Sequence, residues 1–231
     1  MTLRGGTAEQ AVALVAAHDE ERVIAQTVKA LRDVEGITEV VVVADGCTDG
    51  TAAEAAGAGA RVLSTPGRLG KGTALEGAIE RVPPAPMYVL VDGDVGATAS
   101  QVDALLEEVR SGRADVAIGR LPAQAGGGFG VVKALAATLI RRLGGFESEA
   151  PLSGQRALTR EALSACRPLA PGFGLETAMT IDATRMGFRV VEVPVSMRHR
   201  ATGRTIRGFT HRGRQGLDVV RAAIPRALGV R

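Results

Sequence analysis

The sequence predicts an α/β fold, a mostly parallel sheet flanked by helices in a single domain. Three observations carry this. Apolar runs of strand length alternate with segments of helical period from Ala11 to Ile118. The length, 231 residues, and a hydrophobic content of 45% suffice for one large core. Clusters of acidic and polar residues follow four of the strand-like runs, as at the ligand-binding edge of an open parallel sheet.

The elements follow in order. Ala11 to Ala17 (AVALVAA) reads as a buried strand, and Glu21 to Val34 as a helix with Val23, Ile24, Val28 and Leu31 apolar. Glu39 to Ala44 is a second strand, Thr51 to Ala58 an Ala-rich helix and Ala60 to Ser64 a third strand. Lys71 to Val82 is a helix, Met87 to Val91 a fourth strand, Ser100 to Ser111 a helix and Ala114 to Ile118 a fifth strand. This alternation indicates right-handed βαβ units. The pattern then changes. Ala123 to Gly130 is a Gly-rich break, expected as a hinge or mobile loop. Beyond it come a helix over Val131 to Leu143, a strand over Gln155 to Thr159 and helices over Arg160 to Ala165 and Leu175 to Met186. A strand over Phe188 to Val195 follows. Thr202 to Gly213 is polar, basic and expected to be flexible, and Gln215 to Leu228 is an amphipathic helix interrupted at Pro225. Residues 1–122 form the half that carries the first four polar clusters, and 123–231 the half that completes the site.

Composition narrows the function classes. Aromatic content is 3% with no Trp, which argues against a stacking platform for single-stranded nucleic acid. Net charge is +3, but from Arg185 onward eleven Arg face two acidic residues, Glu192 and Asp218. That basic end suits phosphates or an anionic surface. Cys47 and Cys166 have neither redox nor metal-type spacing. No apolar stretch approaches a membrane span, and MTLRGGTAEQ lacks a secretory pattern, so a cytoplasmic location is the expectation. The oligomeric state is open, a homodimer included.

The polar clusters are His18-Asp19-Glu20-Glu21, Asp45-Gly46-Cys47-Thr48-Asp49-Gly50, Gly67 to Gly72 and Asp92-Gly93-Asp94. Each alone reads as a cap or a turn. Four along one edge do not. Asp92 and Asp94 supply hard oxygen ligands suited to Mg²⁺ or Mn²⁺ that also holds a diphosphate. Gly70-Lys71-Gly72 lacks the remaining positions of a Walker loop.

Jointly the clusters resemble the GT-A glycosyltransferases, most broadly family 2, with its Rossmann-like nucleotide-binding sheet. The matching segments are AAHDEE, VVVADGCTDGT with Cys47 in place of the usual Ser, LGKGTAL and VDGD. In the second half PLSGQRALTREAL, APGFGLE and MRHR look like the glucosyl-3-phosphoglycerate synthases. The resemblance implies a UDP-sugar donor and a divalent metal, Mn²⁺ or Mg²⁺. It implies that Ala17, Asp19, Glu20, Asp45 and Lys71 hold the nucleotide, with Asp92 at the ribose or metal shell. Asp94 and His199 would be the metal ligands, and Leu152 and Glu176 would border the sugar. Asp94 and Glu176 are the candidate catalytic residues, Glu176 or Asp182 serving as base if the reaction inverts. His18 would contact nucleotide only through its backbone, and His211 is expected to be solvated.

The chain departs from the synthases on the acceptor side. A Gly-Arg-Val-Thr segment there reads Gly128-Phe129-Gly130-Val131 here, Met197 replaces an Arg, and Gln155 replaces an acidic residue. The expected acceptor is therefore anionic but not fixed: a small phosphorylated or carboxylated metabolite, or a polyprenyl phosphate. In the second case Leu217, Val220, Ile224 and Leu228 would lie on a membrane beside Arg221 and Arg226; otherwise that face would pack on the domain. Two rival classes are a sugar-phosphate nucleotidyltransferase and a non-catalytic nucleotide-binding module. The first expects a Gly-rich loop after the first strand, which AAHDEE is not. The second leaves the acidic edge without a purpose, since it repels phosphates unless a metal intervenes.

Overall fold

Alternation along each strand builds two cores, one on either face of a single sheet. In β1 (Ala11–Ala17), Ala11, Ala13, Val15 and Ala17 enter one apolar cluster while Val12 and Leu14 enter the other. β2 (Ile37–Asp45) sends Val40 and Val42 one way and Val41 and Val43 the other. β4 (Met87–Asp92) splits in the same manner. A strand buried on both faces needs helices on both, and the intervening segments supply them. The computed structural model describes residues 10–122, 130–198 and 207–230.

The first core is closed by α1 (Ile24–Arg32), α2 (Thr51–Gly57) and α4 (Val102–Arg110), the last through Val102, Leu105, Leu106 and Val109. The second is closed by α3 (Lys71–Ile79), α6 (Arg160–Ala165) and α7 (Leu175–Arg185). With β3 (Arg61–Thr65), β5 (Val116–Arg120), β6 (Arg156–Thr159) and β7 (Val190–Pro194), the sheet has the order β3-β2-β1-β4-β6-β5-β7. β6 runs antiparallel to both of its neighbours, and the other pairs are parallel. The C-terminal ends of β1, β2, β3 and β4 therefore share one edge, as the alternating pattern predicts.

Several expectations are corrected. α1 starts at Ile24, not Glu21, because Glu20 to Val23 form a turn in which the Glu20 carbonyl accepts from the Val23 and Ile24 amides. A 3-10 turn over Gly96–Gln101 leads into α4. After α5 (Gly130–Gly144) the chain turns back through residues 145–155 to β6. The last helix, α8 (Arg207–Ala227), begins six residues before the end of the segment expected to be flexible. It also runs through Pro225. Proline removes the helix bond to the carbonyl four residues back, but the helix goes on for only two residues; the Leu228 amide still bonds Ile224, and Val230 bonds the Pro225 carbonyl. Of the Gly-rich break, residues 123–129 lie outside the described residues, as do 202–206.

α8 has two apolar faces. Val219, Ala222, Ala223 and Arg226 are buried against the domain. Leu217, Val220, Ile224 and Leu228 are exposed, Leu217 by 57% and Leu228 by 72%. The inner face is fixed by a buried two-pronged ion pair: Arg226 Nε donates to Asp182 Oδ1 at 2.7 Å, and its Nη2 to Oδ2. Arg226 Nη1 caps the Ala222 carbonyl at 2.6 Å. Among the described residues no helix is long and apolar enough to cross a membrane.

Candidate active site

The edge is assembled by loops that tie neighbouring strand ends together. Asp45, the last residue of β2, is buried, and its carboxylate accepts from three donors at the end of β3 and in the loop after it. Oδ1 takes the Leu69 amide at 2.7 Å and the Thr65 hydroxyl at 3.1 Å; Oδ2 takes the Gly70 amide at 2.8 Å. Asp45 thus pins the chain immediately before Lys71, the first residue of α3. Gly46 sits under this crossing at φ +62, where a Cβ would lie 2.5 Å from the Arg68 amide nitrogen.

The β1 end is tied to the β2 loop in the same way. Asp19 is the one described non-glycine residue at positive φ, 56°, a region that Asp enters more readily than most residues. Its Oδ1 accepts from the Thr48 amide at 2.8 Å. The Glu20 amide donates to the Thr51 hydroxyl at 2.7 Å, and Glu21 accepts from the Gly50 amide at 3.0 Å. Asp49 caps Thr51, accepting from its amide at 3.0 Å, and these bonds hold the Asp49 carboxyl below its usual range against the opposing effect of desolvation. Ala17 is buried, with its carbonyl facing the Cys47 thiol at 3.5 Å. The His18 ring ties β1 to β2 as well: its Nδ1 lies 2.8 Å from the Asp45 carbonyl oxygen.

The centre of the edge is an ionic triad. Lys71 Nζ donates to Asp92 Oδ1 at 2.5 Å and to Glu176 Oε1 at 2.7 Å. Desolvation pulls the ammonium pKa down, but the two carboxylates outweigh it and raise it above the ordinary lysine range. Lys71 therefore stays charged. Gln155 closes the other side of Asp92, its Nε2 donating to Oδ2 at 2.7 Å while its Oε1 accepts from the Asp92 amide at 3.2 Å. Gly154 passes over this group so closely that a Cβ would sit 2.4 Å from Lys71 Nζ and 2.5 Å from Asp92 Oδ2. α3, β4, the Pro151–Gln155 loop and the first turn of α7 meet here.

That loop is held from both ends. Glu192 of β7 accepts from the Ser148 hydroxyl at 2.6 Å and from the Glu149 and Ala150 amides at 3.0 and 2.9 Å. Arg156, fully buried, donates to the Ser153 carbonyl and the Thr180 hydroxyl, each at 3.0 Å. Burial pushes its pKa down, opposed first by the charge of Glu176. Leu152 is half-buried within the loop. The roles of Gly154, Gln155, Arg156 and Glu192 are not visible in the local sequence, since their partners lie far along the chain: Gln155 bonds Asp92 63 residues away, and Gly154 crosses Lys71, which is further still. The run PLSGQR held the one signal, a glycine beside two polar residues that a buried strand does not need.

Asp94 stands in the turn beyond β4, half-buried. A hard carboxylate there fits Mn²⁺ or Mg²⁺ with diphosphate oxygens completing the shell. Asp92 fits less well, as Lys71 and Gln155 occupy one oxygen each. His199 and the side chain of His211 lie outside the described residues. Asp182 is drawn away from the edge: both of its oxygens bond Arg226, so it is not available as a base.

A family model described as Glycosyl transferase family 2 matches residues 12–165. The curated protein "Glycosyltransferase AglJ" of Haloferax volcanii is 31% identical over 194 residues, covering 82% of this chain. The chain spans only 63% of that relative's length. Two solved structures of glucosyl-3-phosphoglycerate synthase from Mycobacterium tuberculosis are also similar. One, in complex with Mn²⁺, UDP-glucose and phosphoglyceric acid, is 26% identical with a TM-score of 0.78. The other, in complex with Mg²⁺ and UDP, is 25% identical with a TM-score of 0.78. Each alignment covers 94% of this chain and 79% of the synthase.

Proposed function

We propose that this chain, which belongs to glycosyl transferase family 2, transfers a sugar from a nucleoside diphosphate sugar, UDP-linked by preference, to an anionic acceptor. The observation that carries the reading is the triad of Lys71, Asp92 and Glu176, which joins both halves of the chain beside Asp94 on the carboxylate-rich edge. The synthase structures that bind UDP-glucose and a divalent metal support the donor side by similarity. A nucleotidyltransferase is disfavoured by the acidic, glycine-free turn after β1. A non-catalytic module gives the half-buried triad no purpose.

In this reading the nucleotide lies across the β1 and β2 loops, against Ala17, Asp19, Glu20 and the loop that Asp45 pins. Asp94 and His199 would hold the metal, which when bound supplies positive charge to the departing diphosphate. The residues of the chain do the positioning. Lys71, locked between two carboxylates, holds Asp92 and Glu176 in fixed places, so neither must reorganise as charge develops. Leu152 and Glu176 border the sugar. Glu176 already neutralises Lys71 and acts as a positioning carboxylate rather than a free base. An acceptor phosphate is ionised beforehand and needs no base.

The acceptor side is supported by charge: nine Arg against one acidic residue from Arg198 to Arg231. A small anionic acceptor is supported by the phosphoglyceric acid bound in the synthase; the exposed stripe of α8 supports a lipid-borne phosphate as the second reading. The test is calorimetry of UDP, GDP and CTP with and without Mn²⁺ or Mg²⁺, followed by transfer assays on each acceptor class. UDP affinity is expected to rise about 10-fold or more with metal, about 1.4 kcal/mol, and Asp94→Ala to remove that gain with the fold intact. Equal UDP affinity with and without metal refutes the donor reading; preference for a neutral acceptor refutes the charge argument.

A further inference from the structure

A group of candidate metal-ligating side chains that does not include Asp94 lies where the ends of β1 and β2 meet. His18, Asp19 and Cys47 offer one ligand atom each, all within 4.8 Å of one another. Among the described residues no other set of three His, Cys, Asp or Glu side chains converges in this way. We propose that these three residues bind a thiophilic divalent cation, zinc before others.

The tautomer of His18 is the first reason. Its Nδ1 is 2.8 Å from the Asp45 carbonyl oxygen, which can only accept, so Nδ1 carries a proton. In the neutral ring Nε2 is then a bare lone pair. That lone pair lies 3.7 Å from Asp19 Oδ2, a second acceptor. Two acceptors facing each other call for a cation between them, either a proton or a metal. Nitrogen and oxygen ligands at about 2.0–2.2 Å from one zinc ion sit roughly 3.3–3.6 Å apart, so this pair needs only a small closure. The Nδ1–H to carbonyl bond is also the outer contact that orients a metal-bound imidazole.

The thiol is the second reason. Among the described residues the Cys47 thiol donates one weak hydrogen bond, at 3.5 Å to the Ala17 carbonyl, and the residue is half-buried, within reach of solvent ions. On binding, the S–H bond breaks, the thiolate sulfur bonds the metal and the proton leaves to solvent. Asp19 is held for the task by the Thr48 amide on its other oxygen. One thiolate, one imidazole and one carboxylate with an open fourth position select zinc over Mg²⁺, which prefers an all-oxygen shell. The cation would staple the two loops that flank Glu20 and Asp45. If the proposed nucleotide site is correct, zinc and UDP then weaken each other's binding by one common factor.

Cobalt(II) titration under reducing conditions reads the site without any assay of activity. One equivalent should give a thiolate-to-cobalt absorption band, abolished by one equivalent of Zn²⁺ and unmoved by excess Mg²⁺. Cys166→Ala should keep the band, because that thiol is buried. Cys47→Ser and His18→Gln should lose it and weaken Zn²⁺ binding by about 10-fold or more. Because misfolding of a variant would also remove the band, the wild-type protein supplies a second reading: Zn²⁺ should slow alkylation of Cys47, followed by mass spectrometry, and Mg²⁺ should not. No band in the wild type, a band that survives Cys47→Ser, or unprotected alkylation overturns the proposal. A site that binds cobalt while UDP affinity is unaffected by Zn²⁺ overturns the antagonism and leaves the metal site standing. Failure of UDP to bind at all bears on the proposed function alone.

Discussion

Replacing Lys71 by Met removes the ammonium but keeps an unbranched four-atom stem, so the change falls mainly on the charge. Asp92 and Glu176 then face each other across the space that Nζ fills at 2.5 and 2.7 Å. Removing one partner of a fully buried ion pair costs about 3–5 kcal/mol. The side chains of Lys71 and Asp92 are 23% and 25% exposed and that of Glu176 10%, so solvent screens part of the loss and the expected cost is about 2–3 kcal/mol. For a chain of this size that lowers Tm by roughly 4–12 °C. The pH dependence adds a sign. In the wild type the raised Lys71 pKa contributes stability that is fully present below the unfolded lysine value and is lost only as pH rises through the higher folded value. Lys71 therefore adds no slope between about pH 5 and 9. In Lys71→Met one of the two facing carboxyls should have a raised pKa, so the deficit is greatest above that value and shrinks as pH falls towards about 5. Urea unfolding of both proteins at pH 7.5 and 5, with UDP calorimetry alongside, measures this. A deficit under about 0.5 kcal/mol at pH 7.5, or one that grows on acidification, refutes the account of the triad.

Gly154→Ala should disturb function more than folding: its Cβ would strike the ends of Lys71 and Asp92, which can swing aside at a cost of about 1–2 kcal/mol, while turnover falls at least ~10-fold; unchanged kcat/KM in steady-state assays would show that the triad need not be held in place. Arg226→Ala and Asp182→Ala each leave a buried charge alone and should cost about 3–5 kcal/mol in urea melts, whereas the double variant Asp182→Leu, Arg226→Met should be more stable than either single. Loss of turnover in Asp182→Asn without loss of stability would instead return Asp182 to the chemistry. Leu217→Gln with Ile224→Gln should leave Tm within about 2 °C, because both side chains are exposed, yet abolish sedimentation with anionic vesicles; retained sedimentation would remove the stripe from acceptor recognition.

The sequence by itself determined the two-sided sheet, because a parallel strand buried on both faces must be apolar along its whole length and the helices between strands must carry an apolar stripe. It also determined which residues crowd one edge, since polar clusters at strand ends have nowhere else to go once the strands are parallel. Asp19, Glu20, Asp45, Lys71, Asp92 and Asp94 are legible for that reason. What those side chains touch was decided by tertiary structure. Asp45 holds a loop, Lys71 bridges Asp92 to a glutamate 105 residues further on, and Asp182 turns to Arg226. A carboxylate looks the same in sequence whether it faces a ligand, a lysine or a backbone amide. Its partner is set by packing between elements far apart along the chain. The same holds for α8: the helical period announces an apolar stripe, but the burial of Arg226 with Asp182 chooses which face turns inward. That choice leaves Leu217, Val220, Ile224 and Leu228 outside.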